Sequence, residues 1–127
     1  MLDAWALIAF LDDERPAAAQ VEAVLGNGAV AACSINLGEV LYRQIRTAGA
    51  TAARNGVTKL RGEMTVLNPD WDLVVSAAKV KANGGLSYAD AFCVATALRL
   101  EAELWTGDPE IIDLARKLQF EVRDLRP

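Results

Sequence analysis

Asp3, Glu39, Asp90 and Asp108 are the side chains whose type and spacing could do chemistry together. Each lies at the start of a helical pattern, and Asp3, Glu39 and Asp108 follow short apolar runs with the character of strands. In a parallel α/β sheet the C-terminal strand ends share one edge, where ligands bind. Helix starts at those places therefore bring the carboxylates towards one pocket. Carboxylates withdrawn from water raise one another's pKa unless a cation neutralises them. Oxygen-only ligation selects Mg²⁺ or Mn²⁺ over zinc. A hard divalent ion activates water and offsets charge on a phosphorus under attack, so the chemistry open to this set is hydrolysis of a phosphodiester.

Taken singly, each acid has a structural explanation, because carboxylates are favoured in the first turn of a helix by its dipole and by capping. Asp3 can cap a helix, and Ser87-x-x-Asp90 and Asn36-x-x-Glu39 resemble capping boxes. Asp108 before Pro109 reads as an N-cap with proline at N1. Glu39 could also pair with Arg43, worth about 0.2–0.5 kcal/mol on an exposed helix. What sets the acids apart is joint placement. Asp90 leads Val94 and Ala97, Asp3 leads Ala6, Leu7 and Phe10, and Asp108 leads Ile111 and Ile112. Three of them therefore head apolar faces rather than solvent faces. The Thr106 hydroxyl, just before Gly107-Asp108, can orient a carboxylate or a water.

The elements that must position these acids alternate in a βα rhythm, which predicts a parallel sheet covered by helices. Met1-Leu2 reads as the end of a first strand, with helices over 4–11 and about 16–25. The run 29–33 has the length of a buried strand, followed by helices around 36–47 and 51–61, separated at Gly49. A short strand over 64–67 ends at Asn68-Pro69, and Pro69 is expected to open a helix reaching about Ala82. Asn83-Gly84-Gly85 closes it and Ser87 caps the next, from near Tyr88 to about Glu101. A strand over 103–106, a helix from Pro109 and a strand over 120–123 complete a mostly parallel sheet of about five strands.

At 127 residues the chain suits one domain spanning 1–127. Apolar residues make up 53%, yet no uninterrupted run approaches the roughly 20 of a membrane span. The start M-L-D-A-W lacks the basic leader of a secretory signal, so a cytoplasmic location is the expectation. Cys33 and Cys93 sit in apolar stretches without a C-x-x-C arrangement and read as buried thiols. The absence of histidine excludes Ser-His-Asp and Cys-His chemistry, His-ligated zinc, and imidazole acid–base catalysis. A net charge of −4 argues against nonspecific coating of nucleic acid. Arg43, Arg46, Arg54, Lys59 and Arg61 nonetheless occur between Val40 and Gly62 without one acid, a stretch that could meet phosphates or an acidic partner.

The segments D-A-W-A-L-I-A-F-L from Asp3, S-I-N-L-G-E-V-L from Ser34, L-S-Y-A-D-A-F from Leu86 and L-W-T-G-D from Leu104 together resemble PIN-domain ribonucleases of the VapC toxin type. The likeness covers nearly the whole chain, and the order of three acids and T-G-D is more specific than any one piece. The resemblance implies a three-layer α/β/α sandwich, a homodimer, and an endoribonuclease acting on tRNA or rRNA. It further implies inhibition by a VapB-like antitoxin and a Mg²⁺ site, which Mn²⁺ can also fill, made by Asp3, Glu39, Asp90 and Asp108. Asn36 and Thr106 would be neighbours of that site. Asp12, Asp13 and Glu14 read instead as a solvated helix end. Where many relatives carry a hydroxyl shortly after the first Asp, this chain has Ala4 and Trp5.

Two other classes compete. A noncatalytic PIN-like module would use the basic stretch to bind RNA or a protein and would hold no metal. A receiver-like phosphorylation switch also gathers acids at sheet ends, but here the strand before Asn68-Pro69 ends without a phosphoacceptor aspartate and no lysine follows the strand near Trp105.

Overall fold

The computed structural model describes residues 1–127. Seven helices, six of them in consecutive pairs, are separated by short strands: α1 Ala4–Leu11, α2 Ala17–Val24, β1 Ala31–Cys33, α3 Ser34–Ala48, α4 Ala50–Arg61, β2 Thr65–Leu67, α5 Trp71–Ala82, α6 Tyr88–Leu100, β3 Leu104–Thr106, α7 Pro109–Leu118 and β4 Val122–Asp124. β1 pairs with β2 and β3 with β4, both parallel, with Cys33 opposite Leu67 and Thr106 opposite Asp124. The N-terminal segment joins the two pairs. Leu2 forms a parallel bridge with Trp105, its amide donates to the Ala31 carbonyl at 2.9 Å, and the Trp105 amide donates to the Met1 carbonyl at 2.8 Å. The lateral order is thus β2, β1, Met1–Asp3, β3, β4. The five expected strands are present as four and a central segment in which only Leu2 has ladder geometry.

Strand alternation divides the interior into two cores, one on each face of the sheet. Met1, Cys33 and Leu104 face α5, α6 and α7, while Leu2, Ala32 and the half-buried Trp105 face α1 to α4. This is the α/β/α layering of the expected fold. Helix α7 explains its own docking: Ile111, Ile112, Leu114 and Ala115 are buried on one side, with charged residues opposite. Each fully buried branched side chain contributes roughly 1.5–3 kcal/mol, which holds the start of α7, and hence Asp108, against the sheet. Cys33 and Cys93 are both buried and free. No helix is long and apolar enough to cross a membrane.

Two local expectations fail for identifiable reasons. Pro69 does not open α5; Asp70 caps it, its carboxylate accepting from the Leu73 amide at 2.8 Å, so the helix starts at Trp71. Asn36-x-x-Glu39 is not a capping box, because α3 begins at Ser34 and Asn36 lies inside the helix, fully buried. The Asn36 amide instead crosses to α6, donating to the Ala89 carbonyl at 2.9 Å.

Candidate functional site

Asp3 caps α1 with extended backbone, and its Oδ1 accepts from the Ala6 amide at 2.8 Å. Its Oδ2 accepts a hydrogen bond from the Thr106 hydroxyl, whose oxygen in turn accepts from the Asp108 amide at 2.9 Å. Thr106 at the end of β3 therefore ties the acid of the central segment to the turn carrying the acid of α7. Asp108 caps α7 through one oxygen, which accepts from the Glu110 amide at 2.8 Å. On α6, Ser87 accepts from the Asp90 amide at 3.1 Å, fixing the first turn. One turn into α3, Glu39 is brought towards α6 by the Asn36–Ala89 bond just described.

Asp90, Asp108 and Glu110 each offer a carboxylate oxygen within 4.8 Å of the others. Glu110 is absent from the sequence-derived set. Its only signal was a second acid two residues after Asp108, which a favourable helix dipole explains equally well. Asp3 and Glu39 lie outside this tight trio, yet the charges of Asp90 and Asp108 act on both. Asp3 is 1% exposed. Burial pushes its carboxyl up to about 7, against the Thr106 and Ala6 hydrogen bonds, with Asp90 and Asp108 adding repulsion. Burial likewise raises Glu39, with Asp90 adding to it and Arg43 opposing; no direct ion pair joins Arg43 to Glu39. Asp90 is raised by burial, then by Asp108 and Glu110, against the Ser87 hydroxyl. Asp12, Asp13 and Glu14 are exposed at the end of α1, with Asp13 paired to Arg15 at 2.9 Å.

The fit of this arrangement to a hard cation is testable on its atoms. The donors are all oxygen, matching Mg²⁺ or Mn²⁺. Glu39 Oε2 is buried without a hydrogen-bond partner, as is Asn36 Oδ1 beside it on α3. A buried carboxylate oxygen left unpaired is costly, and a cation is the group that satisfies it. The raised carboxyls and the orphaned oxygen point the same way, so the residues fit.

Trp5 shapes the rim. A Cβ placed on Gly107 would overlap the Trp5 ring, so the indole occupies the space a side chain at 107 would need. Gly107→Ala is expected to destabilise the protein by about 1–3 kcal/mol through overpacking. In a Trp5→Ala background the same change should cost far less. Urea unfolding of the four variants measures the coupling, and equal costs in both backgrounds would show that the ring is not the obstacle.

Comparison with known proteins reaches the same fold. Residues 1–117 match the family described as PIN domain. A chain of the crystal structure of VapBC2 from Rickettsia felis bound to a DNA fragment from their promoter superposes with a TM-score of 0.76 at 14% identity, covering 99% of this chain and 98% of that one. VapBC-1 from nontypeable Haemophilus influenzae gives 0.72 at 21% identity, with 98% and 96% covered. DNA-bound VapBC from Salmonella typhimurium gives 0.72 at 13%, with 99% and 97% covered. No curated protein sequence matches.

Proposed function

The chain belongs to the PIN domain family, and from that premise we propose that it is a Mg²⁺- or Mn²⁺-dependent endoribonuclease, the toxin of a toxin–antitoxin pair of the VapBC kind. The observation that carries the reading is the convergence of Asp90, Asp108 and Glu110 within 4.8 Å, beside a Glu39 oxygen that is buried and unpaired. Asp3, Glu39, Asp90 and Asp108 would hold the ion, with the exposed Glu110 next to Asp90 and Asp108. When bound, the ion supplies an activated water and offsets charge on the phosphorus. Thr106 holds Asp3 and the Asp108 turn in register, and Ser87 and Asn36 fix the helix starts from which Asp90 and Glu39 project. With no histidine in the chain, protons at the attacking and leaving oxygens have carboxylates and water as their carriers.

The substrate class in this proposal is tRNA or rRNA, and the acting unit is residues 1–127 as one PIN-like domain in the cytoplasm. A VapB-like antitoxin is the proposed inhibitor, since the similar structures include VapBC assemblies. A homodimer is proposed as well, supported by Ile35, Tyr42 and Ile45, which lie along α3 and are each about two-fifths or more exposed.

Removal and return of the ion test the proposal. EDTA is expected to stop cleavage of total cellular RNA and Mn²⁺ to restore it. At a Mn²⁺ concentration of about 100 Kd the folded state should gain about 2.7 kcal/mol, read as a higher Tm at pH 8. RNA cleavage that persists in EDTA, or a Tm that ignores Mn²⁺, would sink the metal-dependent reading. Folding and RNA binding without metal binding would favour the noncatalytic module.

A further inference from the structure

We infer that the groove between α3 and α4 is the track along which a single RNA strand leaves the carboxylate centre, an inference that deepens the nuclease reading and rests on it. The groove encloses about 330 Å³ and is lined by Ser34 and Gly38 of α3, Arg54, Thr58 and Arg61 of α4, and Asn68 after β2. Ser34 directly follows β1 and Asn68 directly follows β2. The groove thus opens on the same C-terminal sheet edge that carries Asp3 and Asp108, and Gly38 adjoins Glu39 on α3.

Its chemistry suits a nucleotide strand. Arg54 and Arg61 stand two turns apart on one face of α4, about 10 Å along its axis. Neither has a carboxylate partner: the ion pairs of the protein engage Arg15, Arg99, Arg116, Arg123 and Arg126. Unpaired guanidiniums bind phosphate oxygens bidentately. Ser34, Thr58 and Asn68 add hydroxyl and amide groups for sugar and base edges, while Leu37 and Val57 give an apolar floor. Gly38 borders open space, since a Cβ built there meets nothing within 4 Å. Two guanidiniums about 10 Å apart, with hydroxyl and amide groups between them, suit the repeating phosphates, sugars and bases of a nucleotide strand.

Binding of a fluorescein-labelled single-stranded RNA is the test, measured by anisotropy on an Asp90→Asn background whose cleavage is strongly slowed under the nuclease reading. Arg54→Ala/Arg61→Ala should weaken binding about tenfold or more and lower the slope of log Kd against log salt by about 1.4. Gly38→Phe should weaken binding by filling the groove while leaving that slope unchanged. Urea unfolding checks each variant first, and Arg54→Gln/Arg61→Gln replaces the alanine pair if that pair is unfolded. Unchanged RNA affinity in both the arginine and glycine variants overturns the inference. So does retained RNA affinity with lost binding of a poly-glutamate peptide, which would make the groove a protein-docking surface. Mn²⁺-dependent hydrolysis of bis(p-nitrophenyl) phosphate by the parent protein tests the nuclease reading separately: absence of turnover with RNA binding lost in the groove variants rejects that reading and upholds the groove.

Discussion

Asp90→Asn is expected to lower RNA cleavage in Mn²⁺ by about 10²–10³-fold in kcat, with a Tm equal to the parent's or above it. The change removes one negative charge from the trio formed with Asp108 and Glu110 while keeping the shape of the side chain. The local fold does not depend on that charge, because the cap of α6 uses the Asp90 amide and the Ser87 oxygen. Burial and neighbouring acids disfavour the ionised carboxylate in the absence of a cation, so neutralising it relieves repulsion. Single-turnover cleavage and a thermal melt on the same preparation separate the two effects. A variant that cleaves as the parent does would remove Asp90 from the centre.

The second large effect concerns Asp3 and is read in stability, with the same sign and a larger size. Its carboxyl is raised from 3.8 to about 7 in the folded protein, so the folded state keeps a proton that the unfolded chain releases within that window. Stability of the metal-free protein should therefore fall as pH rises from about 4 to about 7, the loss being complete above the folded value. Glu39 and Asp90, also raised, contribute with the same sign. Asp3→Asn removes the ionisation while an amide oxygen can still accept from Ala6. At pH 8 in EDTA the variant should be more stable than the parent by on the order of 4 kcal/mol, with a flatter pH profile and weakened Mn²⁺ binding. Urea unfolding at pH 5, 6, 7 and 8 gives the profile. A parent whose stability is flat or rises through this range would refute the assignment of Asp3 as a strained, buried acid.

Much of this arrangement was legible in the sequence because it rests on local rules. Asp3, Ser87 and Asp108 cap the helices that their positions implied, and the βα rhythm led to the layered sheet. The position of Thr106 suggested an orienting hydroxyl, and the structure gives it two partners, one of them Asp3. What escaped was tertiary. Asn36 looks like a cap in sequence, but its neighbours in space, not its neighbours in sequence, decide that it spans to α6. Glu110 looks like a dipole-favoured surface acid until Asp90 arrives from another helix. The exclusion between Trp5 and Gly107 joins positions a hundred residues apart and has no periodic or spacing signature. The basic stretch was visible, whereas the groove that organises Arg54 and Arg61 requires the hairpin of α3 on α4.

The bond between Thr106 and Asp3 spans 103 residues of chain, and the backbone beside it is closed by the Leu125 amide donating to the Thr106 carbonyl at 2.8 Å. The Ala6 amide seats one oxygen of Asp3 locally, but the other finds its partner only when β3 has docked beside the segment that carries it. No local stretch of chain can therefore assemble the carboxylate centre, and loosening β3 at Thr106 would release Asp3 without altering any acid.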